Sequence, residues 1–209
     1  MYRQYKANEM AGKLKIGVVI SSTREGRIGE RITTFVKNAI LKDHEVVVFD
    51  PLEEDLPLTQ QSLNFMYNPS SVPQNIKDLN DRFKALDALV FVCAEYNWSL
   101  PPALTNLMDN IPPTTVAWKP CGFVTYSMGR LGGSRAAVQL RVFTGGMGMM
   151  AVPTGTSIPL AHQALDESGK PKDDTLSKEL DVTLKQVYWA AKALKSYAGN
   201  NPAPNWAPS

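Results

Sequence analysis

The chain alternates short blocks of continuous apolar residues with longer segments whose apolar positions recur every three or four residues. The first block, Lys15–Ile20 (KIGVVI), is apolar and β-branched after its leading Lys, the pattern of a strand buried on both faces. After a polar loop, Ile32, Phe35, Val36, Ala39 and Ile40 fall at i, i+3, i+4, i+7 and i+8, which lines up one face of a helix. These two signatures then repeat. Further strands are expected at residues 46–49, 88–93, 123–126 and 149–152. A second helix is marked by Ile76, Leu79, Phe83 and Leu86. A third opens on Pro101 and Pro102, where a missing N–H matters little, and carries Leu104, Leu107, Met108 and Ile111. Ala136, Ala137, Leu140 and Phe143 mark a fourth. The last spans residues 176–197, with Leu180, Leu184, Val187, Ala191 and Leu194 inward. Residues 154–172 follow neither period and are a candidate for a subunit interface.

Five strands alternating with five helices predict an α/β three-layer sandwich with a doubly wound parallel sheet. Right-handed crossovers leave few topologies, and the flavodoxin-like order 2-1-3-4-5 suits five strands. One domain is expected over residues 13–199, with flexible tails at 1–12 and 200–209; the second of these, NNPAPNWAPS, is rich in Pro and Asn. In this order the chain reverses between strands 1 and 3, and ligands bind beyond the carboxyl ends of the strands at such a switch point. The loops after strands 1, 3 and 4 are therefore the expected site.

Composition narrows the partners. A net charge of +2 over 209 residues gives no field that asks for nucleic acid or an acidic membrane. No stretch approaches the ~20 apolar residues of a spanning helix, and the N-terminal residues show no signal-peptide pattern. Two cysteines, Cys93 and Cys121, supply neither a disulfide framework nor a metal cage. A cytoplasmic protein without a metal site is expected.

The first loop, Ser21-Ser22-Thr23-Arg24-Glu25-Gly26-Arg27-Ile28-Gly29, joins a strand to a helix N-terminus. Free N–H groups and the positive end of the helix dipole favour an anion there. Ser22 and Thr23 add hydroxyl donors, and Arg24 and Arg27 can grip a phosphate through two bonds at once. The plainer alternative is a capped helix start with solvated arginines. The second loop, Ala94-Glu95-Tyr96-Asn97-Trp98-Ser99-Leu100-Pro101, sets an aromatic and an amide after a buried strand, which suits a flat heteroaromatic ligand. Its alternative is a helix entry capped by Ser99. The third, Ser127-Met128-Gly129-Arg130-Leu131-Gly132-Gly133, lets backbone approach a ligand face; alone it reads as a flexible turn.

Together the three loops resemble the NADPH-dependent FMN reductase-like family, which includes quinone, azo-dye and chromate reductases. Loop one resembles its GSTRxGRxG segment, with Ser21 in place of the leading Gly. Loop two resembles its PEYN motif, with Ala94 in place of the Pro. Thr125-Tyr126-Ser127 ahead of Gly132-Gly133-Ser134-Arg135-Ala136 resembles its SYG…GGxRA segment. The resemblance spans roughly residues 13–197 and implies bound FMN. Ser22, Arg24, Arg27, Ile28 and Gly29 would surround the phosphate. Glu95, Tyr96 and Asn97 would contact the isoalloxazine and ribityl groups, and Ser127, Met128, Gly129, Gly132 and Gly133 would edge the ring. NADPH or NADH would deliver a hydride to the flavin, and a quinone, azo dye, metal oxyanion or free flavin would take the electrons in its turn, a ping-pong scheme that needs no catalytic side chain. The resemblance also implies a homodimer or homotetramer, and so do an exposed Trp98 beside the site and the part of the Leu104, Leu107, Met108 and Ile111 strip that does not face the sheet, which is free for a partner. Two other readings stand beside it. One is a flavodoxin-like electron carrier, against which the loop arginines and a pI near 8.5 argue. The other is a non-catalytic flavin-binding sensor. His44 and His162 lie away from the loops and are read as solvent-facing or structural, as is Lys119.

Overall fold

A computed structural model describes residues 12–61 and 72–205; of the two expected tails, residues 1–11 and 206–209 lie outside these. The strands are β1 (Lys15–Ile20), β2 (Glu45–Phe49), β3 (Ala88–Ala94), β4 (Pro120–Tyr126), β5 (Met150–Ala151) and β6 (Thr156–Ile158). The helices are α1 (Gly29–Ile40), α2 (Gln74–Lys84), α3 (Pro102–Asp109), α4 (Pro113–Val116), α5 (Ser134–Gly146), α6 (Ala161–Ala164) and α7 (Asp174–Ala198). The pairings between these strands are parallel and the order is β2-β1-β3-β4-β5, with β6 also on β4.

Every residue of β3 and β4 is buried, because helices cover both faces of the sheet. Alternation assigns the faces. Val18, Val90, Val92 and Val124 pack with α1 and α7, whereas Val19, Leu89, Phe91 and Phe123 pack with α2, α3 and α5. The flavodoxin-like order predicted from the apolar pattern is the observed one.

Four readings need correction. The strand expected at 149–152 is only Met150–Ala151, and pairing with β4 resumes at β6. The partner offset grows by two residues between Cys121↔Ala151 and Val124↔Thr156, so residues 152–155 form a bulge on the sheet edge. Residues 156–158 and 161–164, inside the segment read as patternless, are therefore structured. On α3, Leu104, Leu107, Met108 and Ile111 are all buried, which leaves nothing of that strip for a partner subunit. Ser99 does not cap α3, whose N-cap is Pro101.

The residues set aside as structural are so placed. His44 is buried, its Nδ1 accepts from the Leu14 N–H at 3.3 Å, and its ring stands edge-on to Tyr188. Burial holds its pKa below the ordinary value, with Lys192 adding to the effect. His162 is exposed. Lys119 Nζ donates to the carbonyls of Lys84 and Leu86. Cys93 and Cys121 are free and buried; Cys121 stands opposite Leu89, four residues from Cys93, about 13 Å along the strand. Trp118 Nε1 donates to the Pro204 carbonyl, which lays the C-terminal tail against the start of β4.

Candidate functional site

The three loops meet at the carboxyl edge of the sheet because β1, β3 and β4 are neighbours there. Ser21, at the end of β1, is fully buried, and its Oγ accepts from the Ala94 N–H at the end of β3 (2.9 Å). Its backbone φ is not in the left-handed region, so no strain replaces the absent glycine. The two departures from the family pattern answer each other. A proline at 94 would have no N–H to give, and a glycine at 21 no oxygen to accept it. Ser21→Gly alone should therefore strand a buried donor and lower stability by about 1–3 kcal/mol. Added to Ala94→Pro it should have a much smaller effect. Urea unfolding of the two single variants and the double variant reads the coupling, and additivity within about 0.5 kcal/mol would show the bond to be irrelevant.

One residue further, Ser22 Oγ bonds the Tyr96 hydroxyl (2.5 Å) and accepts from the Arg24 N–H (3.2 Å), which joins loop one to loop two. Arg24 lies over the Tyr96 ring at 3.4 Å from its centroid and forms no ion pair among the described residues. Arg27 is different. Its side chain is nearly buried, and its guanidinium donates to both oxygens of Asp50, to Glu30 Oε1 (3.0 Å) and to the Ser22 carbonyl (2.5 Å). The bonds to Asp50 raise its pKa above the ordinary value, although burial works against this. Arg27 thus braces the loop, and Arg24 is the guanidinium left to face an anion. Asp50, at the end of β2, was missed by the sequence reading. Its place beside β1 at the same edge was the available signal.

Ile28 precedes α1 with a half-buried side chain, and no side chain caps the helix. Gly29 opens α1 so close to Tyr126 that a Cβ would come within 2.7 Å of the phenol oxygen. That oxygen is buried without a hydrogen-bond partner, and burial pushes its pKa up. The donor set fits a phosphomonoester: an uncapped helix start, a guanidinium without an ion pair among the described residues, and a serine hydroxyl held by Tyr96 and the Arg24 N–H.

Loop two is more committed than expected. The Glu95 carboxylate turns toward α5, where Oε2 accepts from the Arg135 and Ala136 N–H groups (2.9 and 3.3 Å) and Oε1 from Arg135 Nη1 (3.0 Å). The Glu95 N–H donates to the Tyr126 carbonyl. Glu95 therefore fixes the N-terminus of α5 against β3, and only its carbonyl is free for a ligand. Tyr96 and Ser99 exchange backbone bonds around Asn97 and Trp98, whose φ values are 49° and 64°. That is a two-residue turn of the type glycine usually supplies. It leaves the Asn97 side chain and the Trp98 ring exposed, with the Arg135 guanidinium 4.2 Å from a ring centroid of Trp98. Trp98 is exposed as expected, and Arg135 is an addition to the residues expected from the loops.

In loop three, Gly132 and Gly133 have φ of 58° and 81°. A Cβ on Gly132 would meet the Pro159 backbone N at 2.8 Å, and one on Gly133 the Tyr126 N at 2.7 Å. Their identity is thus set by close packing on β4 and β6. Ser127 Oγ donates to the Gly129 carbonyl, which also accepts from the Leu160 N–H. Met128 and Leu131 stay exposed at the tip. All thirteen expected site residues lie in three adjoining loops. Arg27, Glu95, Gly132 and Gly133 hold those loops in shape.

Residues 14–163 match the family described as NADPH-dependent FMN reductase. The NAD(P)H-dependent FMN reductase LOT6 of Saccharomyces cerevisiae is 27% identical over 190 residues, which cover 78% of this chain and 93% of the relative. A quinone reductase of Escherichia coli K12 is 29% identical over 135 residues, 63% of this chain and 70% of that one. Among solved structures, the flavoenzyme NAD(P)H:(acceptor) oxidoreductase FerB of Paracoccus denitrificans superimposes with a TM-score of 0.68 at 21% identity. That alignment covers 86% of this chain and 98% of FerB, a likeness of fold.

Proposed function

This chain belongs to the NADPH-dependent FMN reductase family, and from that premise we propose that it passes electrons from NADPH or NADH through FMN to a small acceptor of the quinone or azo-dye kind. The observation that carries the proposal is Arg24, the loop-one guanidinium without an anionic partner among the described residues, in the loop that leads to an uncapped helix start. Arg24, Ser22 and the first N–H groups of α1 would hold the phosphate. Asn97 and the loop-three tip at Met128 and Gly129 would border the ring. Bound there, the flavin would supply a relay that accepts a hydride and releases its electrons to a second substrate. The protein's own residues orient this group; none is assigned as acid, base or nucleophile. Donor and acceptor would use one stacking place in turn. Steady-state NADPH oxidation with a quinone should therefore give parallel double-reciprocal lines. Intersecting lines, or no quinone-dependent oxidation, would count against the scheme.

A second copy of the chain is the proposed cover for one flank of the site. Trp98, Arg135, Val138 and Val142 form one stripe: the last three are at i, i+3 and i+7 of α5, and Val138 and Val142 are 62% and 71% exposed. This stripe replaces the α3 strip as the interface. Light scattering of the FMN-loaded protein should return a dimer or tetramer, and Val142→Glu should lower that mass. A fully active monomer would remove the interface. Buried, unpaired thiols at Cys93 and Cys121, pushed up to about 12, suit a reducing cytoplasm, and no helix among the described residues is long and apolar enough to cross a membrane.

A further inference from the structure

A cavity of about 840 Å³ opens at the far edge of the sheet, between loop three, β6, α6 and the first turns of α7. Its size is in the range of small-molecule sites. Three kinds of surface line it. Leu131, Leu160 and Leu176 give apolar walls. The floor is the open edge of β6. The Ile158 carbonyl accepts from the Ser127 N–H on the β4 side, and a parallel ladder uses alternate residues, so the backbone N–H and carbonyl of Ser157, a residue that lines the cavity, face away from β4 on the open edge. At the rim stand Arg130 and Lys172, neither of which makes a side-chain ion pair or hydrogen bond among the described residues.

Two acids also line the cavity, and they are not equivalent. Asp173 is committed to α7, where it accepts from the Thr175 N–H as the N-cap. Glu179 lies further along the helix and remains an acceptor for a hydroxyl or amino group. The lining therefore offers cations for an anion, a carboxylate and strand-edge groups for neutral donors and acceptors, and apolar walls for a ring. Those are the needs of a phosphorylated nucleoside.

We propose that this cavity receives the adenosine 2′-phosphate half of NADPH, with Arg130 and Lys172 on the phosphate, the leucines about the adenine and Ser157 at its edge. The inference rests on the reductase reading, and the placement supports it. Loop three belongs to both places. Met128, at the expected ring edge, and Leu131, in the cavity wall, are three residues apart, at most about 10 Å of chain. One dinucleotide can thus present its nicotinamide at the ring and its adenosine in the cavity. NADH lacks the phosphate and leaves Arg130 and Lys172 solvated.

The test is calorimetric titration of the purified protein with 2′,5′-ADP and with 5′-AMP, for wild type and for Arg130→Ala/Lys172→Ala. The wild type should bind 2′,5′-ADP at least tenfold more tightly than 5′-AMP. The double variant should lose that preference while retaining its FMN content. In turnover, kcat/KM for NADPH should fall tenfold or more and that for NADH should hold. A variant that still discriminates as wild type does, or equal losses for both nucleotides, would overturn the assignment. A wild type that oxidises neither nucleotide would instead overturn the reductase reading, and the titration would still decide the cavity.

Discussion

Asp50→Ala is expected to remove about 3–5 kcal/mol of unfolding free energy, because it leaves the Arg27 guanidinium buried without its principal partner. Both side chains are nearly inaccessible, at 6% and 7% exposure, so water cannot replace the carboxylate. The variant also takes away the acceptor of the Leu52 N–H, which bonds Asp50 Oδ1 at 3.0 Å. For a chain of this size the melting temperature should fall by roughly 6–20 °C. The pair Arg27→Met with Asp50→Leu removes both charges at once and should be far milder, since no ion is then stranded. Urea unfolding of the cofactor-free protein separates the two cases. A loss below about 1 kcal/mol in Asp50→Ala would mean that Arg27 finds solvent, and its role as a brace would fall. Because Arg27 also donates to the Ser22 carbonyl, the single variant should loosen loop one and weaken FMN binding as well.

Arg24→Ala should weaken FMN by about tenfold to a hundredfold and riboflavin by much less. A hydrogen bond to a charged group contributes about 1.5–3 kcal/mol, and riboflavin has no phosphate to receive it. The comparison is needed because Arg24 has a second contact. Its position over Tyr96 is a cation–π arrangement that contributes about 0.5–1 kcal/mol at an exposed site. Loss of that contact would disturb the Tyr96–Ser22 link and act on both ligands alike. The phosphate-specific part is therefore the ratio of the two losses. Fluorescence titration of the apoprotein with each ligand measures it, and equal losses would reduce Arg24 to a support for Tyr96.

The sheet order was legible because β1, β3 and β4 are unbroken buried runs and α1 and α7 carry clean apolar faces. The edge was not. Two-residue β5 and three-residue β6 are too short to show a period, and the bulge at 152–155 separates them. The place of the candidate site followed from topology, since three polar loops had to meet where the chain reverses. The division of labour inside it did not, because Arg27 finds Asp50 23 residues away and Glu95 finds Arg135 40 residues away. Nothing local distinguishes an arginine that braces from one that waits for an anion. Gly132 and Gly133 make the same point. A glycine pair in a loop suggests ligand access, yet here the close neighbours are the backbones of β4 and the residues around Pro159.

On the reading proposed here, this chain holds FMN and reduces it with a nicotinamide nucleotide. The most direct measurement is the visible absorbance of the FMN-loaded protein during anaerobic addition of NADPH or NADH, followed by a quinone. The yellow flavin bands should bleach with about one equivalent of nucleotide, return on addition of quinone, and belong to a cofactor that heating releases as FMN. A protein that takes up no FMN, releases FAD instead, or keeps its flavin oxidised in the presence of both nucleotides would contradict that reading.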